Sequence, residues 1–316
     1  MKNKKYKYPL VENTITKKEI NSVIELLKSG KKLTYGDNVT KLEKKIANFH
    51  SRKYSVMVNS GSSANLLGVA SILYSKKFDF KVGDEVIVPA LSWSTTYSPL
   101  IQLGLKLVFV DIDRDTFNIS VEKIKKAISK KTKAIFCVNI LGSVCDYTEI
   151  SKITKKHNLF IFEDNCESFG AMHKKRLSGK YGLFSSISSY HSHHINTIEG
   201  GFLLTDSFEV YCNALSLRSH GWSREQPKNS RIGKEKISNF EKNFKFYLPG
   251  FNLRPTEINA VIGLQQMKKI SSFIKHRKNN AKIFYKIFRG LENIILQDYS
   301  ENNSFFSFSF IFPDTK

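Results

Sequence analysis

Acidic residues are scarce in this chain: 28 Asp and Glu stand against 50 Lys and Arg, a formal net charge of +22. Cysteine is scarcer. The four copies, Cys137, Cys145, Cys166 and Cys212, include no Cys-x-x-Cys pair and none beyond position 212. That removes the usual spacings of zinc and iron–sulfur sites. They are read instead as reduced, mostly buried thiols of a cytoplasmic protein. No apolar run approaches the roughly 20 residues that span a bilayer. The N-terminal Met-Lys-Asn-Lys-Lys is basic, but no apolar stretch of a secretory signal follows it. The excess of positive charge invites a nucleic-acid reading. Yet the basic residues are scattered, with no arm, zinc finger or RNP-like stretch. Many are lysines among abundant Asn and Ile, a compositional bias. Neither a nucleic-acid nor a membrane partner is expected, and the positive field also suits a phosphate-rich small substrate.

What is present is an alternation of helical and strand patterns over a length that can bury a large core. Thr16 to Gly30 carries Ile20, Val23, Ile24 and Leu27 at helical spacing and ends at glycine; Val39 to Phe49 is a second amphipathic helix. Short apolar strands are read at Tyr54–Val58, Glu85–Val88, Leu107–Val110, Ala134–Asn139 and Leu159–Phe162, with an apolar helix from Leu66. Ser185–Tyr190 and Gly201–Leu204 look like a strand pair flanking a histidine-rich turn. Strands alternating with helices imply an α/β fold with both sheet faces covered. In such sheets ligands sit at the carboxyl ends of the strands, where the polar clusters fall. From about Pro255 the texture is helical (Glu257–Phe273, Asn279–Leu291), then strand-like over Ser304–Phe312. The chain's ending there is read as a small domain cut short.

Three segments carry chemistry. Ser60-Gly61-Ser62-Ser63 stands between a strand and a helix. Its small residues and helix N-terminus suit an anion, although a plain turn has the same composition. Glu163-Asp164-Asn165-Cys166-Glu167 follows an apolar strand. Acids there are costly unless a metal, a protonated heterocycle or a helix N-terminus faces them. His191, His193 and His194 fall within one turn ahead of Glu199-Gly200-Gly201. A zinc site would use such residues, but near-adjacent ligands fit a tetrahedral ion poorly.

Together these segments resemble the DegT/DnrJ/EryC1/StrS family, the fold-type I pyridoxal 5'-phosphate (PLP) enzymes of sugar aminotransfer. The resemblance runs over essentially the whole chain. Further motifs carrying it are Tyr8-Pro9-Leu10, Thr34-Tyr35-Gly36, Val88-Pro89-Ala90 and Pro249-Gly250-Phe251-Asn252-Leu253-Arg254-Pro255. It implies a mostly parallel seven-stranded sheet between helices. Residues 1–253 would be the large PLP-binding domain and 254–316 the start of a smaller α+β one. The family's cofactor-anchoring lysine stands six positions before the glutamate of Glu199-Gly200-Gly201, and here that position is His193. Ser92-Trp93-Ser94-Thr95-Thr96-Tyr97, Asp164-Asn165-Cys166-Glu167-Ser168 and His220-Gly221-Trp222 are similar to a subgroup that removes the 3-hydroxyl of nucleotide-linked, in particular GDP-linked, 4-keto-6-deoxy sugars.

By this resemblance Asp164 pairs with the pyridine nitrogen, Trp93 stacks on the ring, and Gly61, Ser62 and Ser188 hold the phosphate. Asn252 arrives from a second subunit, which implies a homodimer with shared sites, and Glu167 lies near the phenolic oxygen. Imidazole cannot bond covalently with the cofactor aldehyde, so His193 is left free to move protons. L-glutamate would supply nitrogen to give pyridoxamine 5'-phosphate (PMP), the 3-hydroxyl would be expelled, and ammonia would leave. His220 is read as positioning the sugar or assisting hydroxyl loss, or as a structural histidine. Arg224 and Arg254 are candidate contacts for carboxylate or diphosphate; His191 and His194 are equally packing residues. A nucleotide-sugar aminotransferase without its lysine and a non-catalytic sugar-nucleotide-binding protein are the alternatives.

Overall fold

A computed structural model describes residues 11–235 and 238–313, so Tyr8-Pro9-Leu10 lies outside the described residues. Two helices, α1 (Lys17–Lys28) and α2 (Asp37–Phe49), precede a run of alternating elements. These are β1 (Tyr54–Val58), α3 (Gly61–Leu73), β2 (Glu85–Pro89), α4 (Ser94–Gln102), β3 (Lys106–Val110), α5 (Val121–Ala127), β4 (Thr132–Val138), α6 (Tyr147–His157) and β5 (Phe160–Asp164). A small hairpin, β6 (Met172–His173) and β7 (Arg176–Leu177), leads to β8 (Phe184–Ser188), β9 (Gly201–Thr205) and α7 (Phe208–Arg218). The chain continues through α8 (Asn239–Phe244), α9 (Glu257–Gln266), α10 (Ile270–Phe288) and the paired β10 (Ile295–Leu296) and β11 (Phe310–Ile311).

Seven strands form one sheet in the order β1-β9-β8-β5-β4-β2-β3. β9 runs antiparallel to both its neighbours, and every other pairing is parallel. The carboxyl ends of β1, β8, β5, β4 and β2 therefore lie along one edge. Side chains alternate across the sheet because the strand period is two. Val56, Val58, Phe136, Phe162, Phe184 and Leu203 pack under α3 and α7, while Met57, Ile87, Ile135, Ile161, Ile187 and Phe202 face the other layer. Covering both faces is what a parallel sheet requires, and the expected α/β class holds.

Several boundaries differ from the sequence reading. α3 begins at Gly61 rather than Leu66, because Ser60 Oγ accepts the Ser63 amide at 3.0 Å and caps the helix there. β5 runs on through Glu163 and Asp164 because both carboxylates find donors within the fold. The C-terminal helices break at residues 267–269 rather than near 275. There Lys269 Nζ reaches Glu19 of α1 at 2.5 Å and the Thr14 carbonyl at 3.2 Å. The expected strand over Ser304–Phe312 contracts to Phe310–Ile311, since Ser304 and Phe306 bond to the tight turn Ile140–Gly142 instead. The apolar stripe of α1 faces outward: Ile20, Ile24 and Leu27 are exposed while Glu19 and Leu26 are buried.

One ion cluster anchors the segment after α7. The Arg218 guanidinium is fully buried, with Nη1 donating to Glu43 Oε1 at 2.7 Å and the Met57 carbonyl at 2.9 Å, and Nη2 to Glu225 Oε2 at 2.7 Å. Replacing Arg218 with methionine leaves Glu43 buried without its countercharge. Urea unfolding of Arg218→Met is expected to show a loss of about 3–5 kcal/mol. A loss under about 1 kcal/mol would mean that the carboxylates relax to water at no cost.

Candidate active site

The site assembles from strand ends. Gly61 opens α3, a 13-residue helix, and the first amides of a helix have no intrahelical acceptor. A Cβ at Gly61 would lie 2.7 Å from Ser188 Cβ and 2.8 Å from Cys166 Sγ. Only glycine lets the end of β8 pass this close to the helix start. Gly201 is needed for the same reason on the other side, since its Cβ would meet the Ser60 carbonyl oxygen at 2.3 Å. Gly61, the neighbouring Ser62 and Ser188 thus form one small cradle at the positive end of a helix. Its free amides, hydroxyls and lack of bulk fit a phosphate monoester.

Asp164 ends β5 and is buried. Asn65 Nδ2 and Thr96 Oγ1 each donate to Oδ2 at 2.9 Å, and the Cys166 amide and Ser186 Oγ donate to Oδ1 at 3.1 and 3.4 Å. Four donors from α3, α4, β8 and its own loop fix this carboxylate beside the cradle. A buried carboxylate so oriented fits a cationic ring nitrogen. Its neighbour Glu163 alternates to the other face and takes the amides of Gly179, Tyr181 and Gly182 at 2.5, 3.0 and 3.2 Å. Glu163 is structural, which the acidic run in the sequence did not reveal. No helix follows these acids, so they are not N-caps. Trp93 caps the helix that delivers Thr96 and stands exposed beside it. Glu167 Oε2 accepts the Leu141 amide at 2.7 Å, and burial pushes its carboxyl above the usual range, with Asp164 adding to the effect.

His193 lies in the loop between β8 and β9. Its amide donates to the Tyr190 carbonyl at 2.9 Å, and its ring centroid is 4.9 Å from that of Phe306. Nδ1 is buried and has no hydrogen-bond partner among the described residues. Burial pulls its pKa down to about 4, Arg277 and His191 add to this, and Asp164 opposes it. The imidazole is therefore neutral at physiological pH and able to accept a proton. His194 is a packing residue: fully enclosed, its Nε2 meets the Ser304 carbonyl at 3.1 Å. His191 packs against Tyr190, ring centroids 4.2 Å apart.

His220 and Asn252 form a second cluster. His220 adopts a left-handed φ of 62°, donates its amide to the Phe251 carbonyl at 2.7 Å and meets Trp222 edge-on at 5.1 Å. Asn252 is exposed and accepts from Arg254 Nε at 3.1 Å. Arg224 and Arg254 both lie over Trp222, at 4.7 and 6.0 Å. The Asn59 amide, donating to the Leu253 carbonyl at 3.1 Å, ties this cluster to the end of β1. No hydrogen bond or ring contact among the described residues joins His220 to His193 or Asp164. Asn65, Thr96, Ser186, Phe306 and Arg277 are the site residues that sequence reasoning missed. Asn65 and Thr96 sit inside conspicuous motifs, whereas Phe306 and Arg277 carry no local signal.

The model of the DegT/DnrJ/EryC1/StrS aminotransferase family matches residues 13–316. The chain belongs to this family. It is 47% identical over 309 residues to a GDP-4-keto-6-deoxy-D-mannose 3-dehydratase of Yersinia pseudotuberculosis, covering 98% of this chain and 78% of that one. Among solved structures, the Escherichia coli GDP-4-keto-6-deoxy-D-mannose-3-dehydratase with bound hydrated PLP superposes with a TM-score of 0.94 at 44% identity, covering 97% of this chain and 79% of that one. Another GDP-4-keto-6-deoxymannose-3-dehydratase structure, with a trapped PLP–glutamate geminal diamine, gives 0.93 at 43% identity, over 98% of this chain and 80% of that one. The expected family and fold therefore hold.

Proposed function

We propose that this chain is a PLP-dependent dehydratase that removes the 3-hydroxyl of GDP-4-keto-6-deoxymannose, taking its nitrogen from L-glutamate and releasing ammonia. The carrying observation is His193: a neutral imidazole with a buried, unpartnered nitrogen stands where the family places a lysine. When bound, the cofactor supplies an electron sink conjugated to the sugar's C4, which labilises the bond from C3 to its hydroxyl. The amides of Gly61 and Ser62 and the hydroxyl of Ser188 would hold its phosphate. Asp164 would hold the positive charge of its ring nitrogen, and Trp93 would pack on the ring. Glu167 would serve its phenolic oxygen. His193 takes a proton at an imidazole nitrogen and returns it, and having no primary amine it cannot retain the cofactor covalently.

Further parts of this reading concern assembly and place. The enzyme works as a homodimer in which Asn252 reaches the partner's cofactor phosphate; the exposure of Asn252 and the outward apolar stripe of α1 support it. Residues 1–253 form the cofactor-binding unit and 254–316 a second unit. His220 contacts the sugar. No helix among the described residues is long and apolar enough to cross a membrane. The four free thiols fit the reducing cytoplasm.

Mass spectrometry of a reaction holding enzyme, PLP, L-glutamate and GDP-4-keto-6-deoxymannose tests the function. The expected product lacks one oxygen and carries no nitrogen, with ammonia and 2-oxoglutarate formed in equal amounts. A sugar that gains an amine at C4 would make the protein an aminotransferase. The cradle has its own test. Gly61→Ala forces a methyl group against Ser188 and Cys166, an overpacking of about 1–3 kcal/mol. Titration of apoenzyme followed by absorbance should show PLP affinity falling roughly 10- to 100-fold. Undiminished affinity would place the phosphate elsewhere.

A further inference from the structure

The segment Ser304–Phe306 lies against the His193 loop without belonging to any sheet. Five hydrogen bonds hold it. The Ser304 amide donates to the Gly142 carbonyl at 3.0 Å and the Phe306 amide to the Leu141 carbonyl at 2.9 Å. His194 Nε2 meets the Ser304 carbonyl at 3.1 Å. Arg277 Nη1, from α10, donates to the carbonyls of Phe305 and Phe306 at 3.0 and 2.8 Å. Gly142, at φ +88°, is required for this approach, because a Cβ there would lie 2.5 Å from the Phe305 nitrogen. Arg277 has no carboxylate partner among the described residues, and burial lowers its pKa. A cation placed at such a cost marks what it holds, which here is the backbone of this strap. The strap in turn sets the ring of Phe306 4.9 Å from His193 and 6.1 Å from His194, tilted 47° and 36° to them.

We propose that Phe306, held by the strap and Arg277, is a positioning residue for His193: its ring packs against the imidazole, excludes water from it and holds it in place. The inference rests on His193 being the proton carrier of the proposed reaction. The same strap grips Leu141, whose amide holds Glu167, so one element reaches both His193 and the residue that fixes Glu167. The charged and titratable groups around His193 are Asp164 from β5, Arg277 from α10, and Tyr190, His191 and His194 from its own loop. Of these Asp164 alone favours the imidazolium. Desolvation beneath Phe306 is thus what must outweigh it.

The test is histidine-labelled NMR on the full chain loaded with PLP, and again without it, the His193 signal being assigned by its loss in His193→Asn. In the wild type His193 should stay neutral down to about pH 4. In Phe306→Ala its midpoint should rise by more than about one unit toward the ordinary value of about 6.5. The acid limb of kcat/KM should move with it while KM for the sugar holds. Phe306→Leu, still an apolar cover, should restore the low midpoint. Arg277→Lys keeps the charge but replaces the planar guanidinium whose Nη1 bonds both carbonyls, so a smaller rise there reports the strap itself. A wild-type midpoint near 6.5, or Phe306→Ala and Arg277→Lys midpoints equal to the wild type, would overturn the proposal. If His193→Asn still dehydrates the sugar, the catalytic reading of His193 fails, while the NMR result on Phe306 stands by itself.

Discussion

Replacing His193 with asparagine is expected to slow loss of the 3-hydroxyl by about 10²- to 10⁴-fold, the usual yield of a positioned general base. Asparagine keeps much of the volume and a polar end but cannot take up a proton near neutral pH. In the wild type nothing in the described chain occupies Nδ1, and burial keeps the ring neutral, so the base form is present throughout the physiological range. The phosphate cradle and Asp164 lie on other elements and are left intact. PLP absorbance titration of His193→Asn should therefore match the wild type while single-turnover formation of the deoxy sugar collapses. A rate within about tenfold of the wild type would assign the proton transfer to another group.

The second large effect belongs to Asp164. Asp164→Asn is expected to lower the rates of both half-reactions, 2-oxoglutarate formation from glutamate and sugar dehydration, by about 10²- to 10³-fold. The four donors around this position persist: Asn65, Thr96, Ser186 and the Cys166 amide. Two of them keep an acceptor in the amide oxygen while the other pair now faces the amide nitrogen, a donor, and the formal negative charge opposite the ring nitrogen is gone. Electron withdrawal by the cofactor weakens wherever it is used, so both halves suffer together. Rapid-quench measurement of each half-reaction separates this from a sugar-binding defect, which would spare the glutamate step. A wild-type rate of 2-oxoglutarate formation in Asp164→Asn would remove Asp164 from the electron sink.

Sequence and structure divide these residues in an orderly way. Gly61, Ser188, Asp164 and His193 were legible because each sits where a short apolar strand gives way to polar residues, and that transition is written locally. The resemblance carried by Glu199-Gly200-Gly201 singled out His193 among three nearby histidines. The pattern could not separate Glu163 from Asp164. Adjacent strand residues point to opposite faces, and only the donors on each face, the 179–182 amides on one and Asn65 and Thr96 on the other, divide their roles. In this structure the contacts of His220 run to Phe251 and Trp222, and its proposed contact with the sugar rests on its motif.

By itself the sequence determined the order of elements, the two-sided sheet and the strand ends that line the site. Each of these follows from hydrophobic period and turn chemistry within a few residues. It also determined what the central side chain can do, since a histidine in place of an amine excludes covalent capture whatever surrounds it. The tertiary structure alone decided which way the α1 stripe faces, which carboxylate meets the site, and that Phe306 lies over His193, with the His194 loop bonded to a segment 110 residues away. Those facts arise from contacts between distant parts of the chain. Their energies depend on the burial and hydrogen-bond partners that folding brings together, and no local pattern of residues encodes them.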